Sequence, residues 1–192
     1  MSRTRLLALA AAVAIGAGCG GSSKHTQGSA KPLSAEAASA AAGDIPDNQV
    51  FLTFRNRAAG YSMKYPEGWT RSGSAGDVTF RDKNNIVHVV LARGGAPTAA
   101  SVTGELRALR ASSPSLKAGA PRRLQLGGGP AIKASYTTVS PPNPVTGRRV
   151  TLTVDRYELG RGGRLATLDL GTPKGVDNVD AYRLISQSFR WL

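Results

Sequence analysis

Short runs rich in β-branched and aromatic residues follow one another from Val50 to Leu170, several of them alternating apolar with polar. That spacing commits most of the chain to half-buried strands. The runs are Val50–Phe54, Tyr61–Tyr65, Val78–Arg81, Ile86–Leu91, Arg123–Leu126, Ala131–Val139, Arg149–Leu159 and Arg164–Leu170. The residues between them make turns: Asn56 to Gly60, Asp82-Lys83-Asn84-Asn85, Gly127-Gly128-Gly129-Pro130 and Gly160-Arg161-Gly162-Gly163. In Pro66-Glu67-Gly68, proline fixes φ at the second turn position and glycine closes the turn, which folds Trp69 back on the sheet. Pro141, Pro142 and Pro144 keep their connection out of the sheet.

The period changes twice. Ala99, Val102, Leu106 and Leu109 fall three or four apart behind a Thr98 N-cap, and Ser113-Pro114 stops the helix they predict. A second helix is predicted from Asp177 to Ser188, with Asp177 and Asp180 favourable near its positive end and Val179, Tyr182, Ile185 and Phe189 facing inward.

The N-terminal residues stand outside this pattern. Arg3 and Arg5 precede an apolar run from Leu6 to Ile15, and Gly16-Ala17-Gly18-Cys19 resembles a lipobox, with Gly16 where such boxes usually carry Leu. The run is shorter than the ~20 residues a helix needs to cross a bilayer. The reading is a signal peptide over 1–18 and a thioether-linked diacylglycerol on Cys19, which anchors the mature chain on the extracytoplasmic face of the membrane. Residues 19–44 are dominated by small and polar types, with Leu33 the one large aliphatic residue, and read as a tether that cannot offset its own ordering entropy. The folded domain is expected over 45–192. Cys19 is the only cysteine, so no disulfide staples that domain and its stability must come from packing.

The chain carries 25 Lys and Arg against 12 Asp and Glu, a net charge of +13. Losing Arg3 and Arg5 with the leader leaves 23 against 12, or +11. Such a surface attracts anionic lipid, acidic glycan or an acidic envelope protein, and the extracytoplasmic address argues against nucleic acid. Arg107 and Arg110 are three apart on the first predicted helix, and Lys117, Arg122 and Arg123 follow it. These five are the candidate anion- or partner-binding residues. Arg148, Arg149, Arg156, Arg161 and Arg164 flank the late hairpin and read as charged surface.

A search for chemistry yields no catalytic residue, metal set or cofactor motif. His25 falls in the tether and His88 in mid-strand, neither with a ligand partner at close spacing. The carboxylate pairs Asp44/Asp47 and Asp177/Asp180 read as turn and helix-cap residues rather than calcium ligands. No G-x-S-x-G follows a strand, H-E-x-x-H is absent, and Gly127 to Pro130 lacks the Lys-Ser/Thr of a phosphate loop. Gly16 to Gly21 fits G-x-G-x-x-G but has neither a strand before it nor a helix after it.

Gly60-Tyr61-Ser62-Met63-Lys64-Tyr65-Pro66-Glu67-Gly68-Trp69 resembles the opening of PsbP-like domains, a group that includes an extrinsic photosystem II subunit and bacterial lipoproteins of the actinobacterial LpqN type. The Thr79-Phe80 strand and the terminal Ile185-Ser186-Gln187-Ser188-Phe189 fit the same order. The resemblance implies an α+β fold, an antiparallel twisted sheet packed between helices as an α/β/α sandwich, used for binding or scaffolding. It carries no catalytic residue over, because its motif consists of core and turn positions. The expected function is therefore a lipid-anchored, non-catalytic binding module of the cell envelope. An envelope hydrolase with dispersed residues and a lipid carrier are the alternatives.

Overall fold

The structure, a computed structural model, describes residues 41–143 and 146–192. The leader, Cys19, His25, Pro144 and the tether before residue 41 lie outside the described residues. From Phe51 onward the described residues form eleven strands and two helices in the order β1 (Phe51–Asn56), β2 (Tyr61–Pro66), β3 (Thr70–Ser74), β4 (Asp77–Asp82), β5 (Asn85–Arg93), α1 (Ala99–Ser112), β6 (Lys117–Ala118), β7 (Arg122–Leu126), β8 (Gly129–Val139), β9 (Thr151–Arg161), β10 (Arg164–Pro173), α2 (Val179–Ser188) and β11 (Arg190–Trp191). The fold is α+β and mostly antiparallel sheet.

The strands form two sheets. One has three strands in the order β1-β2-β11; the other has eight, running β3-β4-β5-β10-β9-β8-β6 with β7 also paired to β8. Residues directly opposite each other across paired strands project from the same face, so register sorts the side chains. Leu168 faces Val89 and Tyr157, and Leu170 faces Val87, all within the larger buried core. Val154 faces Tyr136, and both join Ile132, Ala134 and Leu152 in a second core on the opposite face. Helix α1 supplies Val102 and Leu106 to the second core, while α2 supplies Tyr182 and Ile185 to the first.

The expectation of one sheet between helices needs correction at this point. Tyr61, Met63 and Trp191 of the three-stranded sheet enter the first core beside α2, so a helix does not cover that face alone. The reason lies in the terminal residues: Trp191 pairs with Tyr61 and Arg190 with Ser62, which carries the chain end onto β2 as a strand.

Local chemistry explains the boundaries. Thr98 Oγ1 accepts from the Ser101 amide at 3.0 Å while the Thr98 amide donates to Ser101 Oγ at 2.9 Å, a reciprocal cap that starts α1. Pro66 closes β2 and is the first, not the second, residue of its turn; Trp69 N donates to Pro66 O and Gly68 takes φ +85° at the third position. Gly60 has φ +71°, and the space a Cβ would need there is filled by the Arg164 guanidinium, which sits 4.8 Å over the Trp191 ring. Tyr61 stacks on Phe189 at 5.5 Å and Trp69 is buried, so the Gly60–Trp69 segment is core and turn as read. Val179 is the exception among the expected inward positions of α2: it is the first residue of the helix, is 67% exposed, and lines an open cleft with residues 44–47 instead of entering the core.

Candidate functional site

Arg107 and Arg110, one turn apart on the outer side of α1, line a cleft of about 430 Å³. Leu106 and Leu116 form its buried floor, and Ala118 to Pro121 form the far wall. The spacing i, i+3 puts both guanidinium groups on one side of the helix. Arg110 also lies in the last turn of α1, where a cation complements the carbonyl end of the helix.

The other three candidates separate. Arg123 opposes Ile132, which belongs to the core beneath α1, so Arg123 projects from the α1 face. Arg122 opposes Lys133 and Lys117 opposes Thr137, residues that alternate to the other face. The structure thus gathers Arg107, Arg110 and Arg123 on one side of the sheet and leaves Lys117 and Arg122 on the other. All five are exposed.

A second charged group lies where the sequence promised only surface. Arg156, read as part of a solvated hairpin, is 8% exposed. Its Nε and Nη2 donate to the two carboxylate oxygens of Asp169 at 2.8 and 2.7 Å, and its Nη1 lies 3.4 Å from Glu105 on α1. The guanidinium also sits 5.8 Å from the Tyr136 ring centroid. Burial works against this charge, but the Asp169 bonds outweigh burial and hold the guanidinium's pKa above its ordinary value. Glu158, two residues on along the same face of β9, is wholly buried, and among the described residues only the Glu105 carboxyl approaches it as a hydrogen-bonding neighbour, which requires one of the two to be protonated. Burial first, and then the nearby Glu105 carboxyl, push its pKa up to about 8.

The Glu158 shift has a defined pH consequence. Its unfolded value is near 4.5, so between that pH and about 8 the folded state holds a proton that the unfolded state has released. Its stabilising contribution is therefore complete below the unfolded value and is lost as pH rises through the folded one, by up to about 1.4 kcal/mol per pH unit. Glu158→Gln removes this proton and keeps the shape. Thermal melts are expected to show the variant gaining on the parent steadily from pH 5 to pH 8.5; parallel curves would refute the buried proton.

The remaining sequence candidates fall elsewhere. His88 lies on β5 beside Asp169 in register, with Nε2 2.8 Å from Asp77 Oδ1. Asp44, Asp47, Asp177 and Asp180, two pairs far apart in sequence, line a single cleft. Among the described residues no group of three or more His, Cys, Asp or Glu side chains is arranged to hold a metal. Gly127 and Gly128 form the β7–β8 turn; a Cβ on Gly128 would stand 2.7 Å from Phe189. The Arg156–Glu158 group is the feature that sequence reasoning missed. Its signal was present in Leu152, Val154, Arg156 and Glu158, four residues sharing one face of a long strand, of which two are charged.

No family model matches the chain, and no curated protein matches it. Solved structures do. The cyanobacterial PsbP (CyanoP) of Synechocystis sp. PCC 6803 is 18% identical, with 78% of this chain and 98% of that one covered at a TM-score of 0.57. LpqN of Mycobacterium tuberculosis, described as involved in cell envelope biogenesis, is 15% identical over 77% and 87% of the two chains at a TM-score of 0.40. A protein of Bacteroides thetaiotaomicron is 16% identical over 73% and 48% at 0.46. The similarity to CyanoP shows that the domain has a PsbP-like fold.

Proposed function

We propose that this chain is a cell-envelope lipoprotein, held by a lipid on Cys19, whose PsbP-like domain binds an anionic envelope component and performs no catalysis. The observation that carries the binding reading is the cleft beside α1. There Arg107 and Arg110 stand over the buried Leu106 and Leu116, a pairing of cations with apolar surface that suits an amphiphile with an anionic head group. Anionic lipid is the ligand of that class nearest to a lipid-tethered domain. The envelope address rests on the basic start, short apolar run and Cys19 of the leader.

The experiment has two arms. Membrane fractionation of cells producing the chain should find it in the membrane and its Cys19→Ser variant released, with mass spectrometry locating the lipid on Cys19. In the second arm, the Cys19→Ser protein should co-sediment with phosphatidylglycerol vesicles and not with phosphatidylcholine vesicles. Reversal of both Arg107 and Arg110 to Glu should weaken this at least fivefold and leave the melting temperature in place, since exposed charges contribute little to stability. A released parent protein, or vesicle binding indifferent to salt and to the reversals, would overturn the reading.

A further inference from the structure

A cleft of about 770 Å³ opens between residues 44–47 and the first turns of α2. It is formed by elements on the α2 side of the molecule and has the opposite charge from the cleft beside α1. Four aspartates, Asp44, Asp47, Asp177 and Asp180, line it, and among the described residues no Lys or Arg does. The chain has 12 acidic residues against 25 basic ones, so a third of its carboxylate side chains converge on this one rim.

Half of that convergence has a structural explanation. Asp177 Oδ1 accepts from the Val179 amide at 3.1 Å, and Asp180 sits in the first turn of α2, where a negative charge is favourable, paired with Arg183 at 2.8 Å. Asp44 and Asp47 have no such role. They belong to the facing wall, and neither carboxylate has a partner among the described residues. Between the walls lie apolar side chains left open to solvent: Val179 is 67% exposed and Leu184 37%, and Pro46 and the half-buried Phe51, itself packed against the first core, continue the surface. Apolar groups left uncovered beside a polar rim mark a docking surface.

The cleft is also preformed. Asn178 Oδ1 accepts from the Ile45 amide at 2.8 Å, and Asn178 Nδ2 donates to Gly43 O at 3.1 Å, so one buried side chain holds the 43–45 wall against the start of α2. A rigid groove avoids the ordering cost of binding.

We propose that this cleft docks a cationic peptide segment of a partner protein, setting Lys or Arg against the four aspartates and an apolar side chain against Val179 and Leu184. Charge selects the occupant. A chain of net charge +13 disfavours a cationic peptide over much of its surface, and this rim, where four carboxylates converge, is a place that attracts one. The inference does not depend on the anionic-ligand reading, which uses α1.

The test titrates the full chain carrying Cys19→Ser with a 14-residue amphipathic Lys-Leu peptide, followed by calorimetry and amide chemical shifts. A Glu-Leu peptide of the same pattern and tetralysine serve as comparisons. The expected result is saturable binding of the Lys-Leu peptide alone, with shifts confined to 44–51 and 177–184. Asp44→Asn with Asp47→Asn, and separately Leu184→Ser, should each weaken it at least tenfold, with amide spectra otherwise superimposable on the parent. Equal binding of tetralysine would reduce the cleft to a bare acidic patch. Shifts elsewhere, no binding, or a salt-sensitive self-association abolished by the aspartate changes would overturn the proposal, the last by giving the groove to a second copy.

Discussion

Arg156→Met is expected to destabilise the domain by about 3 to 5 kcal/mol, the usual cost of removing one partner from a buried ion pair. The arginine is 8% exposed and holds both oxygens of Asp169, whose side chain is 15% exposed. Its removal leaves Asp169, Glu105 and the wholly buried Glu158 near one another with no cation between them. Methionine fills much of the volume, so the loss reports charge rather than cavity. Urea denaturation at pH 7 measures it. A double change, Arg156→Met with Asp169→Leu, removes the stranded carboxylate too and should recover at least 1 to 2 kcal/mol, because groups in one network are not additive. A single-variant loss below about 1 kcal/mol, or a double variant worse than the sum of its parts, would show that the cluster is not the electrostatic unit its geometry describes.

Much of the fold was legible because its elements carry their own signals. Tyr61, Met63 and Tyr65 alternate, Thr98 precedes an apolar 3.6-residue pattern, and Gly162-Gly163 turns the chain between β9 and β10, although the preceding Gly160 and Arg161 belong to β9 rather than to the turn. The elements that escaped lack such signals. β3, Thr70–Ser74, is an exposed edge strand with no apolar face to read. β6 and β11 have two residues each, too few for any period, and exist because Ala118 and Trp191 meet partners on β8 and β2. The site was legible only where it is local. The i, i+3 spacing of Arg107 and Arg110 predicted one helix side, whereas the division of Lys117 and Arg122 from Arg123 depends on β8 register, which no short motif encodes. Glu105 and Glu158 come from a helix and a strand 53 positions apart, and Asp44 shares a cleft with Asp177 because Asn178 ties Gly43 and Ile45 to the start of α2.

That last residue is expected to be among the costliest in the domain to lose. Asn178 is 4% exposed and occupies the N-cap position of α2, yet its side chain makes no cap bond. It bridges instead: Oδ1 accepts from Ile45 N at 2.8 Å, and Nδ2 is shared among Thr172 Oγ1 at 2.8 Å, Gly43 O at 3.1 Å and Asn85 Oδ1 at 3.2 Å. Asn85 supports the same centre, donating to Gly43 O at 2.6 Å and accepting from Thr172 Oγ1 at 3.1 Å. In Asn178→Ala the Gly43 and Asn85 oxygens keep one partner each, but the Ile45 amide is left buried and unpaired. An orphaned buried group costs about 1 to 3 kcal/mol, and with the lost bonds and the small cavity the total is expected at about 2 to 4 kcal/mol. Because the deletion unties one segment, the loss should have a local signature. Amide exchange at Ile45 should accelerate far more than exchange at Val87 or Leu168 in the sheet core, under conditions where the domain stays folded. That pattern would tie the stability of the domain to the seam where the N-terminal segment joins it, which is also one wall of the acidic cleft. The cationic peptide should then bind the Asn178→Ala protein more weakly although no residue it touches has changed charge. Uniform acceleration across the sheet, or a cost under about 0.5 kcal/mol, would mean that the seam is held by the packing of Ile45 and not by this side chain.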